Sequence, residues 1–124
     1  VSLFIEPDPD TVRTAVDLGA DAVELHTGSW ANAWHTAYKR PTRAHRAACD
    51  HELRRLEEAA ALAADCGIRL HAGHGITYHN VRELLHLPVL RALNIGHSIV
   101  SRAILVGLER AVREMRALID AGPA

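Results

Sequence analysis

Four short apolar runs divide the chain, and each predicts one β-strand. Their residues favour strands, and each run ends at glycine, proline or polar residues, as a strand followed by a turn does. In the second run, apolar residues alternate with Glu24 and His26, so both polar side chains project from one face of the predicted strand. The predicted strands lie at residues 1–5, 21–28, about 68–70 and 92–95.

Helical patterns follow the first two strands. Asp8 is a good N-cap before Pro9, and the helix that follows ends at Gly19. One face of this helix is marked by Val12, Ala15 and Val16. A second helical pattern runs from residue 43 or 44 to about 65. Residues 29–43 show no clear period and are interpreted as a lid or simply a long loop.

Two further helical regions follow the third and fourth strands. Asn80 and Glu83 have the spacing of a capping box and predict a short helix to about residue 86. Beyond residue 97, Gly107 divides a short helix from a longer last one. The apolar stripe predicted for this region comprises Ile104, Leu108, Ala111 or Val112, Met115, and Leu118 or Ile119.

The order of these elements predicts an α/β fold. Strict alternation of strand and helix indicates a parallel sheet with right-handed crossovers. Four such units could form a small open sheet or half of an eight-stranded TIM barrel. The half barrel is favoured because every strand ends in polar or glycine-containing loops on the same side. Half a barrel leaves two unpaired strand edges, so we expect this single unit to need a missing half or self-association.

Composition and charge exclude several classes of function. The chain has 124 residues, 48% of them hydrophobic, and a formal net charge of -1, so we expect no nucleic-acid partner. It has no apolar run of 18 residues and no leader, so we expect neither a membrane partner nor a signal peptide. Cys49 and Cys66 predict small buried thiols in a reduced, cytoplasmic protein. Because the sequence begins at Val1, within a predicted strand, and has no initiator Met, we expect these residues to be a piece of a longer protein.

Candidate acid–base chemistry lies at the ends of the second and third strands. His74 stands between Gly73 and Gly75. It could be a loop histidine bonded to backbone, or an imidazole that transfers protons near neutral pH, and the glycines favour the second interpretation. Glu24 could be ion-paired across a barrel interior, or it could stabilise an iminium-like intermediate.

A candidate anion site follows the fourth strand. Gly96 and His97 precede a helix, so backbone N–H groups and the positive helix end could face an anion. A glycine at such a position is more often only a turn. Together with Gly75, however, it fits the phosphate site that the last two strand–helix loops of barrels form.

Other residues have simpler interpretations. A metal site is a less favoured interpretation than acid–base chemistry, because no carboxylate-rich ligand motif accompanies the histidines. The histidines that could be metal ligands are His26, His71, His74, His79 and His97. The aromatic residues Trp30, Trp34 and Tyr38 indicate packing. The charged residues Arg113, Glu114 and Arg116 indicate a solvated helix face with helix-spaced pairs.

Three segments, in this order, resemble the pyridoxine 5'-phosphate synthase family of vitamin B6 biosynthesis. They are Glu24-Leu25-His26-Thr27-Gly28, the stretch from Ala72 to Val81 that contains Gly-His-Gly-Ile-Thr-Tyr-His-Asn, and Leu93-Asn94-Ile95-Gly96-His97-Ser98-Ile99. The resemblance covers nearly the whole chain and corresponds to the C-terminal half of a barrel of roughly 240 residues.

The resemblance implies an enzyme that condenses 3-amino-2-oxopropyl phosphate with 1-deoxy-D-xylulose 5-phosphate to pyridoxine 5'-phosphate, phosphate and water. It implies no metal or organic cofactor and an octamer of barrels. His74 corresponds to a general acid and Glu24 to a carboxylate that stabilises transition-state charge, while Gly75, Gly96 and His97 correspond to the aminoketone phosphate site. The family's other active-site histidine and glutamate are absent here, so we expect these 124 residues alone to be inactive.

Two alternative functions remain at this point. One is a metal-dependent barrel hydrolase, which would need histidine ligands from the same loops. The other is a phosphate-binding fragment without catalysis.

Overall fold

Each strand is followed by one or two helical segments. The computed structural model describes residues 1–124 and contains four strands, five α-helices and one short 3-10 helix. In chain order these are β1 (Ser2–Ile5), α1 (Pro9–Asp17), β2 (Ala22–His26), α2 (Gly28–Lys39), α3 (Arg43–Asp65), β3 (Arg69–Gly73), the 3-10 helix (Val81–Leu84), β4 (Leu90–Asn94), α4 (His97–Val106) and α5 (Leu108–Asp120).

The four strands form one parallel sheet in the order β1-β2-β3-β4. The predicted α/β class with a parallel sheet is therefore confirmed. A sheet whose spatial order follows chain order, with crossovers of one hand, carries its helices on one face. The carboxyl ends of all four strands consequently meet at one edge, where the connecting loops begin.

The two faces of the sheet have different surroundings. Side chains that alternate along β2 and β3 are fully buried against the helices, namely Val23, Leu25, Leu70 and Ala72. The opposite face is open: Phe4 is 57% exposed, and Glu24, His26 and His71 are half-buried. Apolar packing therefore holds the sheet from one side and leaves polar side chains on the other. No helix has both the length and the apolar character needed to cross a bilayer.

The first helix begins as its sequence predicts. The Asp8 carboxylate accepts hydrogen bonds from the backbone N–H and the hydroxyl of Thr11, at 2.9 and 2.8 Å, and Pro9 occupies the first turn. These bonds lower the pKa of Asp8 because they favour its charged form. Val12 and Ala15 are buried in the core.

The interpretation of residues 29–43 as a lid or long loop was wrong, since most of this region is helix α2. Trp30, Ala31 and Trp34 recur at helical spacing and are buried, whereas Asn32 and His35 lie on the exposed face. Packing of this aromatic face on α3 stabilises a helix whose N-terminus has no side-chain cap. The prediction that both tryptophans pack is confirmed, while Tyr38 stacks on Trp34 and remains 65% exposed.

The predicted capping box at Asn80 and Glu83 was also wrong. Asn80 is fully buried, and its side chain accepts from the backbone N–H of Thr77 and donates to the Gly75 carbonyl. Glu83 accepts a hydrogen bond from the Trp34 indole at 2.5 Å. Both side chains thus serve tertiary contacts, and the helix predicted to residue 86 is reduced to one 3-10 turn.

Three smaller predictions need correction. The fourth strand begins at Leu90, two residues before the predicted start, because β4 pairs with β3 from Leu70 onward. Cys49 is buried as predicted, but Cys66 is exposed because it ends α3. The exposed residues Ile104 and Leu108, at 82% and 62%, depart from the predicted stripe because the chain changes direction at Gly107.

The predicted solvated face of α5 includes one contact that sequence spacing does not reveal. Glu114 accepts hydrogen bonds from Arg102 of α4 at 2.8 and 3.2 Å and from Arg110 at 2.9 Å. The pairs of Arg113 with Glu109 and Arg116 with Asp120 follow the predicted helical spacing. Bonds from Arg102, then from Arg110, lower the pKa of Glu114 to about 2.

We expect this α4–α5 contact to make stability depend on pH in the acid range. Because the pKa of Glu114 is lower in the folded protein than its ordinary value of 4.5, the contact stabilises the fold above that value. The stabilisation is lost as pH falls from about 4.5 towards about 2. Urea unfolding midpoints measured between about pH 6 and pH 2 should fall less steeply in Glu114→Gln than in the unaltered chain. Parallel curves for the two proteins would contradict this assignment.

Candidate functional site

The five residues selected from sequence surround one cavity. Glu24, His74, Gly75, Gly96 and His97 all line a cavity of about 550 Å³ at the carboxyl ends of the strands. The remaining lining residues are Phe4, Ile76, Thr77, Asn94, Ile95 and Ser98. Strand β2 and the loops after β3 and β4 therefore bring a carboxylate, an imidazole and a helix N-terminus to one opening.

His74 is the first residue after β3 and has an unusual backbone conformation. Its φ is 82°, in the left-handed region that residues other than glycine rarely adopt. Its imidazole is exposed towards the cavity and stacks on the His26 ring, with centroids 4.7 Å apart and planes 25° from parallel. The imidazole is therefore placed in one orientation at the cavity mouth.

Gly75 continues the turn and leaves no space for a side chain. Its φ is 77°, and a Cβ atom added there would lie 2.6 Å from the Cβ of Ala31 on α2. Its carbonyl accepts a hydrogen bond from Asn80 at 3.2 Å. The turn consequently requires glycine for both its conformation and its contact with α2.

Glu24 is held across the open face by a neutral partner. The Asn94 side-chain amide on β4 donates to Oε2 of Glu24 at 2.6 Å. Gly73 on the intervening strand makes this reach possible, since a Cβ there would lie closer than 3.0 Å to Oε1 of Glu24. No cation among residues 1–124 pairs with Glu24.

The N-terminus of α4 borders the same cavity. Gly96 precedes the helix, His97 begins it, and no side chain caps its free backbone N–H groups. The Ser98 hydroxyl donates to the Ile76 carbonyl at 2.9 Å, which joins this helix to the loop after β3. Free N–H groups at the positive end of a helix are suited to an anion.

The remaining candidate histidines do not converge on a metal site. His71 is half-buried on the open face of the sheet, and His79 is exposed beyond the turn. No three side chains among His, Cys, Asp and Glu lie close enough together to hold a metal ion.

Comparison with known proteins identifies the family of this chain. A sequence model of the family described as "Pyridoxal phosphate biosynthesis protein PdxJ" matches residues 1–121. The chain belongs to the PdxJ family. The resemblance found in its three motifs is thereby confirmed.

Curated relatives of this PdxJ chain carry one name. Pyridoxine 5'-phosphate synthase from Rhodopirellula baltica is 48% identical over 119 residues, which cover 96% of this chain and 44% of that protein. The synthase from Akkermansia muciniphila is 51% identical over 121 residues, covering 97% and 45%, and that from Aquifex pyrophilus is 48% identical over 118 residues, covering 93% and 46%. The chain therefore spans less than half the length of these relatives.

Two polar residues of this PdxJ chain were missed as site residues. Asn94 holds Glu24, and Thr27 contacts the backbone on both sides of His74. Each lies within a motif that the sequence singles out, at the end of a strand. Alternation along β4 could have placed Asn94 on the open face, but no sequence signal pairs Thr27 with a loop 46 residues away.

Proposed function

We propose that this chain is the C-terminal half of a (β/α)8 barrel, four strand–helix units that form no separate domain. The sheet is covered by helices on one face and open on the other, and β1 and β4 each have one unpaired edge. The relatives are more than twice as long as the segment they share with this chain. Four further units would close the sheet and cover its open face. Such barrels would then associate into a homo-oligomer.

We infer that the complete protein makes pyridoxine 5'-phosphate from 3-amino-2-oxopropyl phosphate and 1-deoxy-D-xylulose 5-phosphate, releasing phosphate and water. The observation that carries this proposal is the single cavity that contains Glu24, His74, Gly75, Gly96 and His97. The name of the relatives supports the same reaction.

His74 would act as the general acid. Imine formation, dehydration and ring closure each move protons near neutral pH, which is the range in which imidazole exchanges them. Glu24 would stabilise positive charge on the nitrogen of an imine intermediate. Its hydrogen-bond partner Asn94 is a neutral amide, so this bond places no positive charge beside the carboxylate that would compete with the substrate.

The aminoketone phosphate would bind between the last two strand–helix loops. Backbone N–H groups of Gly75, Gly96 and His97 would bind the phosphate, since all three residues line the cavity beside the N-terminus of α4. Anchoring the phosphate there would hold the amino ketone within reach of His74 and Glu24, so that binding contributes to the rate through orientation.

The test is an assay of the longer protein that contains these residues, beside the 124-residue chain alone. We expect the longer protein to release phosphate and pyridoxine 5'-phosphate in equal amounts, and the 124 residues alone to form none. Product formation by the short chain would contradict the expectation that catalytic groups outside these 124 residues are required. Phosphate release without pyridoxine 5'-phosphate, from protein containing stoichiometric zinc or iron, would indicate the hydrolase instead.

A further inference from the structure

The backbone conformation of His74 has to be held by its surroundings. Its φ of 82° lies in the left-handed region, which few residues other than glycine adopt, although asparagine, aspartate and histidine are enriched among them. Such conformations persist only where neighbouring groups determine them, and they are concentrated at functional sites. The groups that determine this one lie in three consecutive residues at the junction of β2 and α2, His26-Thr27-Gly28.

Thr27 fixes the two peptide groups that flank the Cα atom of His74. Its backbone N–H donates to the Gly73 carbonyl at 2.8 Å, and its hydroxyl lies 2.8 Å from the Gly73 carbonyl and 2.5 Å from the His74 carbonyl. The single hydroxyl proton is donated to these two oxygens. Because one carbonyl precedes the His74 Cα and the other follows it, holding both sets the φ and ψ of His74.

The position of Thr27 makes this use of its hydroxyl notable. Thr27 directly precedes α2, where a threonine side chain ordinarily accepts a bond from the helix. It makes no such bond here, although it is fully buried. The hydroxyl therefore bonds the carbonyls beside His74, and the N-terminus of α2 has no side-chain cap.

His26 and Gly28 determine where the imidazole of His74 lies. The His26 ring stacks on it and is contacted edge-on by Phe4, with ring centroids 5.1 Å apart. Nδ1 of His26 is buried 3.4 Å from the Glu6 carboxylate and makes no hydrogen bond. A Cβ at Gly28 would lie 2.5 Å from His26 Cε1 and 2.9 Å from His74 Cδ2. The absence of a side chain at Gly28 thus makes room for both rings.

We propose that His26-Thr27-Gly28 is a positioning device for the His74 imidazole, with Thr27 setting its backbone and His26 its ring. These residues act through His74 and not on substrate. The inference rests on the proposed function, in which His74 moves a proton, and it extends that function to residues for which the motif alone gives no role.

Thr27→Val and Thr27→Ser separate the hydroxyl from the shape of the side chain. In the longer protein we expect Thr27→Val to lower kcat about 10- to 100-fold. The KM values for the two phosphorylated substrates should change less than about twofold, because a misplaced imidazole slows the chemical step more than it weakens binding. Thr27→Ser should retain kcat within about threefold. Thr36→Val is the matched control, since the Thr36 hydroxyl bonds Asn32 on the exposed face of α2. An unchanged kcat in Thr27→Val would overturn the proposal.

A crystal structure of Thr27→Val provides a readout that does not depend on activity. We expect the His74 φ to leave the left-handed region or the two imidazoles to separate. An unaltered His74 would contradict the proposal even if the longer protein proved to catalyse another reaction. If Thr27→Val fails to fold, His26→Phe and His26→Leu replace it: phenylalanine should keep the stack and most of kcat, and equal losses in both variants would overturn the role of His26.

Discussion

Replacing His74 with asparagine is expected to lower the kcat of the longer protein by about 10²–10⁴-fold, the usual contribution of a positioned acid or base. Asparagine is the appropriate replacement because His74 has a φ of 82° and asparagine tolerates that conformation better than most residues. The variant therefore removes the imidazole while the Gly73-to-Gly75 turn keeps its shape. Steady-state kinetics of pyridoxine 5'-phosphate formation measure the effect.

Phosphate binding distinguishes this loss from a distorted site. The backbone groups of Gly75, Gly96 and His97 remain in His74→Asn, so calorimetric affinity for the aminoketone phosphate, or for inorganic phosphate as a stable probe, should change less than about threefold. His79→Asn is the matched control, since His79 is exposed on the same loop and does not line the cavity. Turnover near that of the unaltered protein in His74→Asn would remove His74 from the mechanism.

The grouping of the site residues could be predicted because it follows from the sheet. Glu24 belongs to the second apolar run, and Gly75 and Gly96 follow the third and fourth. In a parallel sheet whose order follows the chain, the ends of these strands are neighbours at one edge. Strand alternation and loop position were therefore sufficient to bring the five residues to one cavity, without knowledge of any side-chain contact.

Helix α2 could not be predicted because its stability comes from contacts distant in sequence. It begins at a glycine without a side-chain cap, and its aromatic residues are interrupted by Asn32 and His35. What stabilises it is burial of Trp30 and Trp34 in the core and the bond from the Trp34 indole to Glu83, 49 residues further along the chain. The same bond explains the incorrect capping box, since Glu83 is directed to Trp34 and not to its own helix.

The orientation of the His74 and Glu24 side chains could not be predicted from the sequence, for a related reason. Thr27 directly precedes a helix and Asn94 ends a strand, and each side chain could have bonded to nearby backbone instead. In the structure both reach across strands to the two proposed catalytic residues. Side chains diverted from local hydrogen bonds in this way mark the positions where the fold gives up local stability for the site.

Gly73→Ala is expected to lower kcat by about 10²–10³-fold, the loss typical of removing one preorganised electrostatic group. The added Cβ would lie closer than 3.0 Å to Oε1 of Glu24 and 3.2 Å from two atoms of Asn94. The end of a glutamate side chain can move more easily than a strand, so the carboxylate should be displaced and its 2.6 Å bond from Asn94 lost. Alanine also suits a strand better than glycine, so the melting temperature should change little.

A double-mutant cycle with Glu24→Gln decides whether Gly73→Ala acts through that carboxylate. If the alanine displaces Glu24, then Gly73→Ala, Glu24→Gln and the double variant should have kcat values within about fivefold of one another, because the second change removes what the first has already disabled. Losses that multiply in the double variant would mean that Gly73→Ala damages the site by another route. A melting temperature lowered by about 10 °C or more in Gly73→Ala would mean that the sheet moves instead of the side chain, and that Glu24 is packed too tightly to be repositioned.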